Sequence, residues 1–321
     1  MANTPLATVK KRSTPKILNY FKRLGKRIIR DRQLLIIFLP CIVFYAMFRY
    51  GPLYGLLIAF KDYSVFKGVA DSPWVGFENF EKFFNAREFW QLFENTFLLG
   101  FLTLIFSFPV PIILAILLNE VRVSWFKKGV QTASYLPTFL SVVIISSMII
   151  DFLSPSNGIV NRLLNMIGLE SKYFLIDPNW FRPIYILSEI WTNAGYESIV
   201  YLAAIAGISP TLYEAAKVDG ASRFRMIFNV TLPSMLPTIL IMLILKTGNM
   251  ISIGYEKVLL LYNTMTYEVA DVFSTFVYRK GLLGTDYSYG AAVGLFEAFV
   301  AMALLLISNY ASKRMGGKGL W

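Results

Sequence analysis

Tyr213–Pro233 reads YEAAKVDGASRFRMIFNVTLP. It carries Glu214, Lys217, Asp219, Arg223 and Arg225, with a turn signal at Gly220. Yet it lies between two apolar runs, roughly Pro183–Ile205 and Leu236–Gly254. A run of about 20 apolar residues is long enough to cross a bilayer. A charged, turn-forming stretch between two such runs is therefore a loop at a membrane face, and the chain is polytopic.

Composition agrees. The 321 residues are 56% hydrophobic and only 16% charged, where a soluble domain carries about 25% charged residues. The net charge of +11 does not indicate nucleic acid, because the cations are concentrated ahead of the first apolar run. Ten Lys/Arg fall in VKKRSTPKILNYFKRLGKRIIRDRQ, the placement that holds a segment in the cytoplasm against anionic headgroups. The chain contains no His, which removes imidazole catalysis and His-based metal sites. The single Cys41 lies in the first apolar run and excludes an intrachain disulfide. No small-residue cleavage site closes that run, so it reads as an uncleaved helix.

The expected fold is all-α with six transmembrane helices: Leu34–Gly55, Asn95–Leu118, Ala133–Leu153, Pro183–Ile205, Leu236–Gly254 and Ser288–Tyr310. RYGP is expected to break the first, and Pro109 and Pro111 to bend the second. Six crossings put both termini on one side. If that side is cytoplasmic, the inner segments hold nineteen basic residues and the outer segments ten. The positive-inside rule selects that arrangement. The domain plan is a basic cytoplasmic tail over 1–33, a six-helix membrane domain over 34–310 with the charged loop at 207–235, and a cytoplasmic tail over 311–321.

Within the loop, Ser209 followed by Pro210 gives an N-cap and a proline at the first helical position; Thr211 with Glu214 offers a capping box instead. Gly220 suits a left-handed helix stop, and Ser222 is placed to cap a second short helix, RFRMIFNV, ending before Pro233. Taken alone, this stretch fits an ordered loop whose charges mark the membrane face as well as it fits a docking surface.

EAAKVDGASRFRMIFNVTLP resembles the EAA loop of permease subunits of binding-protein-dependent ATP-binding-cassette importers, which share a MetI-like transmembrane core. Glu214, Ala215, Ala216, Asp219, Gly220, Ala221, Leu232 and Pro233 match that pattern by type and spacing; the aromatic usual near Ile227 falls at Phe228. The resemblance implies that Glu214, Ala215, Ala216, Asp219, Gly220 and Ala221 form a coupling helix seated in a groove of the ATPase. YGPLYGLLIAFKDYS, WVGFENFEKFF, FPVPIILAILLNEVR, QTASYLPTFLS, SEIWTNAGYESIVYLAAIAGISPTLYEAAKVDGA and YSYGAAVGLFEA resemble the LplB-like branch of carbohydrate permeases, so nearly the whole chain is covered. The implied partners are a second permease subunit completing a heterodimeric pore, a dimer of ATPase subunits, an extracellular solute-binding protein, the lipid bilayer and an oligosaccharide. Pectin-derived acidic oligosaccharides fall within the implied substrates, and no nucleic acid does. No G-x-x-x-x-G-K-[ST] phosphate loop is present, and GGKGLW lacks its spacing. ATP and magnesium are thus expected on the ATPase, with no cofactor and no catalysis in this chain.

Ionisable groups inside spans are costly and point to function. Glu189, Asn193 and Glu197 are spaced by four and share one helix face, which Tyr196 joins; Lys246 and Asn249 share a face of the fifth span. Carboxylates, an amide and an aromatic ring suit a sugar pathway. An equally open reading is structural, with Lys246 paired to Glu189 or Glu197. Glu297 lies in the sixth span, while Asp151 and Glu256 are expected at span ends. A peptide or phosphate importer is the alternative substrate class. A membrane glycosyltransferase would need an acidic cluster, which the scattered outer acids do not form, and a channel would not need a docking loop.

On a Cys41→Ser background, a cysteine at Lys217 should resist an impermeant thiol reagent added outside, while one at Lys67 should react. Labelling of position 217 from outside would contradict the topology.

Overall fold

A computed structural model describes residues 30–314 and 319. The basic tail therefore lies almost wholly outside the described residues. The chain divides into two compact units, residues 1–57 and 58–321.

In the first unit, an α-helix spans Arg32–Tyr45 with Pro40 inside it. RYGP does not break the run as expected. The helix changes winding instead, to a π-turn over Ala46–Tyr50 and a 3-10 stretch beginning at Gly51, whose φ/ψ of −55°/−48° remain helical. Pro52 has no N–H to continue the α pattern, so the hydrogen bonding shifts register without the axis ending.

In the second unit, the helices Phe89–Ser107 and Pro109–Glu120 form one continuous 32-residue span. Phe108 keeps helical angles, −64° and −42°. The α-helix is interrupted at Phe108, where the prolines were expected to bend it, and Pro109 and Pro111 open a new helical segment at its start, where missing N–H groups cost nothing. Arg223–Gly248 and Tyr287–Arg314 are long and apolar enough to cross, as are Arg32–Phe60 and Phe89–Glu120. Among the described residues, two bent helix pairs bring the total to six when each pair is taken as one span. One is Ser124–Phe139 with Val142–Leu153, bent by 107°; the other is Pro178–Ala206 with Pro210–Val218, bent by 70°.

Two differences from the expected spans have clear causes. The third run is not one straight helix: it passes through a 3-10 turn at Leu136–Phe139 and restarts at Val142, where Ser141 Oγ accepts from Ile144 N at 3.3 Å. Pro137 and a serine cap override an otherwise unbroken apolar pattern. The fifth helix ends at Gly248, not Gly254; Ser252–Gly254 is irregular, and a new helix, Tyr255–Leu261, follows.

The spans pack around the fourth, Pro178–Ala206, which contacts both halves of the second span, the Ser124–Tyr135 helix and the fifth span; the fifth packs in turn on the sixth. One core cluster gathers Leu99, Ile149, Phe181, Tyr185, Val258 and Leu261. A second, rich in rings, joins Phe83 and Phe89 to Phe273, Phe276 and Tyr289. Phe83 comes from WVGFENFEKFF, so that outer segment is a packed element rather than a free loop. A third cluster, Ala115, Tyr201, Ile205 and Met235, lies toward the charged loop.

The breaks of the third run and after Gly248 are each seated against a glycine of a neighbouring span. A Cβ at Gly195 would collide with the Ser134 carbonyl beside the first break, and one at Gly100 with the Met250 carbonyl at the second. Small residues let backbones approach closely inside membranes. Thr138 Oγ1 also donates to the Thr192 carbonyl at 2.5 Å, fixing the first break to the fourth span.

Gly195→Val and Gly100→Val are expected to destabilise the protein by about 1–3 kcal/mol or more through overpacking. Gly294→Ala, where an added Cβ meets nothing within 4 Å, is the control. Thermal unfolding of the purified protein in one detergent checks this; equal midpoints for all three would contradict the close-approach account.

Candidate functional site

The fourth span, the fifth span, the Tyr255–Leu261 helix and the second span line a half-open cavity of about 720 Å³. The irregular Ser252–Gly254 stretch lines it, along with Tyr185, Glu189, Glu197, Lys246, Asn249 and Lys257. The cavity exists because the fifth helix stops at Gly248: a helix continued through Gly254 would not present this stretch to it.

Two ion pairs stand in the wall. Lys246 Nζ is 2.7 Å from Glu197 Oε2, with both side chains about a quarter exposed; Ser107 Oγ accepts from the same ammonium at 3.4 Å. Lys257 Nζ is 2.7 Å from Glu189 Oε1, with the lysine side chain 7% exposed and the glutamate 25%. Glu189 Oε2 accepts from Asn193 Nδ2 at 2.7 Å. Lys257 also lies 4.9 Å above the Tyr185 ring, a cation–π placement that adds to the pair. Burial pulls the Lys257 ammonium below the ordinary lysine value, and Glu189 pulls it back up.

Of the expected pathway residues, the structure brings Glu189, Glu197, Lys246 and Asn249 to one cavity. Lys246 takes Glu197 from the two partners left open, and does so while facing the cavity, so pairing and lining are not exclusive. Asn193 supports Glu189 and does not line the cavity. Tyr196 turns to Phe139, 6.1 Å between ring centres, beside the break of the third span. Glu256, expected only at a span end, lines the cavity. Lys257 was counted among outer-loop cations, yet it is the partner of Glu189. The available signal was a lone cation directly before the apolar run Val258–Leu261.

The outer segment after this helix is held by polar latches. Asn95 Nδ2 donates to the carbonyls of Glu268 and Asp271 at 2.9 and 3.1 Å, and its Oδ1 accepts from Arg182 Nη2 at 3.0 Å. Arg279 pairs with Asp271 at 2.6 Å, which raises the guanidinium pKa.

At the other end of the fourth span, the charged loop is folded as two helical limbs. Pro210–Val218 begins at Ser209, without the Thr211–Glu214 capping box; Ser209 Oγ instead lies 2.8 Å from Thr211 Oγ1. The helix ends in a Schellman stop. Gly220 has φ +71°, Ala221 N donates to Ala216 O at 2.9 Å, and Gly220 N donates to Lys217 O at 3.0 Å. Ser222 caps the second limb through Arg225 N at 3.4 Å. That limb does not end before Pro233: it runs through a π-turn at Ile227–Thr231 into the fifth span. Pro233 has no N–H, and the hydrogen bonding widens ahead of it, with Leu232 N donating to Ile227 O. Tyr213 Oη lies 3.0 Å from Thr231 Oγ1, joining the limbs, and Arg223 is 3.7 Å from Glu120 at the end of the second span. Glu214, Ala215, Asp219 and Gly220 remain exposed, Ala216 is half-buried beneath them, and Ala221 is half-buried at the turn.

A multi-pass helical core with a polar-lined cavity and an exposed loop continuous with two spans is the architecture of a transport permease subunit. Residues 95–315 match the family described as binding-protein-dependent transport system inner membrane component, and the chain belongs to that family. It is 44% identical to the polygalacturonan/rhamnogalacturonan transport system permease YteP of Bacillus subtilis, over 94% of each chain. Protein LplB of the same organism is 41% identical, over 91% of this chain and 92% of LplB. Among solved structures, a chain of a bacterial ABC transporter involved in the import of the acidic polysaccharide alginate is 47% identical, with TM-score 0.84, covering 91% of this chain and 99% of its own. As a member of this family, the protein is a multi-pass inner-membrane component that works with a solute-binding protein and an ATPase.

Lys257→Met leaves Glu189 without its counter-charge. Breaking a buried pair from one side costs about 3–5 kcal/mol, so the thermal midpoint should fall clearly. Adding Glu189→Gln should restore most of the loss. An unchanged midpoint in the single variant would contradict the pairing.

Proposed function

We propose that this chain is one half of a heterodimeric pore through which an ATP-driven importer takes up acidic oligosaccharides of the pectin type. Support comes foremost from the 44% identity, over nearly full length, to a polygalacturonan/rhamnogalacturonan permease. The alginate importer, a second system with an acidic substrate, is similar over 91% of this chain. A cavity with two lysines, Tyr185 and Asn249 is chemically suited to carboxylates, sugar rings and hydroxyls.

In this reading, a solute-binding protein delivers the oligosaccharide to the face opposite the charged loop. ATP and magnesium bind the ATPase dimer, and this chain carries no cofactor. The basic tail 1–33, the loop 207–235 and the tail 311–321 are cytoplasmic. The coupling helix Pro210–Val218, its stop at Asp219–Ala221 included, transmits ATPase movement. Its exposed Glu214 meets a basic groove on the ATPase, and Gly220 gives the tight stop. Continuity of the second limb with the fifth span makes the loop a lever: displacement of Arg223–Met226 carries Leu232–Gly248, and with it Lys246, along the cavity wall.

Reconstitution with the second permease, the ATPase and the binding protein tests the substrate. Uptake of galacturonate oligomers in preference to peptides, phosphate and neutral oligosaccharides is expected; uptake of any of those instead overturns the reading. Glu214→Ala combined with Gly220→Val should insert normally and lose substrate-stimulated ATP hydrolysis by an order of magnitude or more. A left-handed φ is unfavourable for valine by about 1–2 kcal/mol. Wild-type stimulation in that double variant would sink the coupling role.

A further inference from the structure

We infer that the Lys257–Glu189 and Lys246–Glu197 pairs are exchange sites, in which carboxylates of an anionic sugar replace the two glutamates on the lysines. This rests on the acidic-oligosaccharide reading above and assigns its chemistry to four side chains.

The cavity as it stands is not a cationic trap. Its charged lining is Glu189, Glu197, Glu256, Lys246 and Lys257, so the acids outnumber the cations and both lysines are already satisfied. A free polyanion entering such a space would be repelled unless each lysine changed partner. Several features favour that change. Both glutamates are about a quarter exposed, so each pair is open to the cavity on the carboxylate side. Glu189 has a second donor, Asn193 at 2.7 Å, and would remain hydrogen-bonded after losing Lys257. Lys257 is held over the Tyr185 ring and Lys246 beside Ser107, so neither ammonium depends on its glutamate alone for position.

The ligand chemistry matches the pair. A uronosyl ring carries one carboxylate, an acceptor for the lysine, and vicinal hydroxyls, donors for the displaced glutamate. A neutral sugar supplies only the second half of the exchange and leaves the ion pair closed. A simple anion supplies only the first half and leaves a carboxylate without a counter-charge, which is costly where water is scarce. The site therefore selects a sugar acid over either component.

Spacing adds a length requirement. Glu189 and Glu197, which both line the cavity, are eight residues apart on the fourth span, about 12 Å along the axis at 1.5 Å per residue. That exceeds one pyranose ring, so the two pairs address different units of an oligomer. Because each lysine has an internal competitor, binding is weak and reversible, as a pathway site requires; a ligand shifts such an equilibrium only by its differential affinity for the open state.

Saturation-transfer difference NMR on the complete transporter in nanodiscs, without binding protein or nucleotide, measures this site directly. The probes are trigalacturonate, its methyl ester and monogalacturonate. The wild type should give the strongest signal with trigalacturonate and a signal at least several-fold weaker with the ester. Two neutral pairs, Lys257→Gln with Glu189→Gln and Lys246→Gln with Glu197→Gln, remove both charges together and so avoid a stranded ion. Each should cut the acid-to-ester ratio about tenfold. Glu189→Gln alone, which removes the competitor and keeps Lys257, should raise the trigalacturonate signal. Equal signals for acid and ester in the wild type, no signal at all, an unchanged ratio in both neutral pairs, or a weaker signal in Glu189→Gln would each overturn the inference. Uptake of galacturonate oligomers by the reconstituted system alongside any of those results would leave the substrate reading standing and remove only the exchange mechanism.

Discussion

A lysine ammonium inside a membrane span costs about 2.5–3.5 kcal/mol on insertion scales, and the arrangement of this protein turns on how Lys246 in the fifth span and the buried Lys257 beyond it are met. Both are met by one helix. Glu189 and Glu197 present carboxylates from the same side of the fourth span, to Lys257 and Lys246 respectively. To reach them, the fifth span must pass beside the fourth with Lys246 facing inward, and the chain beyond it must leave the helix and bring Lys257 to Glu189. The helix break after Gly248 makes that departure feasible, and the close approach of Met250 to Gly100 fixes it in place.

The same requirement links the cavity to the charged loop. The fourth span carries the glutamates and continues, after a 70° bend, into Pro210–Val218. The fifth span carries Lys246 and begins in Arg223–Met226. The two limbs of the loop are thus the ends of the two helices whose side chains pair across the cavity. Tyr213 and Thr231 tie those ends together, 3.0 Å apart. Movement imposed on the loop acts on the relative position of Glu197 and Lys246.

Much of this was readable from the residues. The spans follow from apolar run length, the left-handed stop at Gly220 from its place after Pro210–Val218, and the shared face of Glu189, Asn193 and Glu197 from their spacing of four. What was not readable has a common physical cause. Within long apolar runs, every residue satisfies lipid and protein interior equally well, so composition does not mark where a helix stops. The break after Gly248 is seated by tertiary packing on Gly100, far away in sequence, whereas the turn at Leu136–Ser141 had a local signal in Pro137 and the Ser141 cap that the apolar run masked. Lys257 was missed for the same reason: without the break after Gly248 and the contact with Glu189, it counts as one more cation in a loop between spans. The partner of Lys246 was confined to two glutamates by periodicity, and helix register selected Glu197.

The central claim is that the face of the fourth span bearing Glu189 and Glu197 holds the translocated substrate through the lysines paired to it. A cryo-electron microscopy structure of the complete transporter, trapped with an acidic oligosaccharide inside the membrane domain, tests it most directly. The account predicts uronate carboxylates at hydrogen-bond distance from Lys257 Nζ and Lys246 Nζ, with Glu189 and Glu197 turned to sugar hydroxyls. An oligosaccharide bound in the pore while both ion pairs remain closed would contradict it.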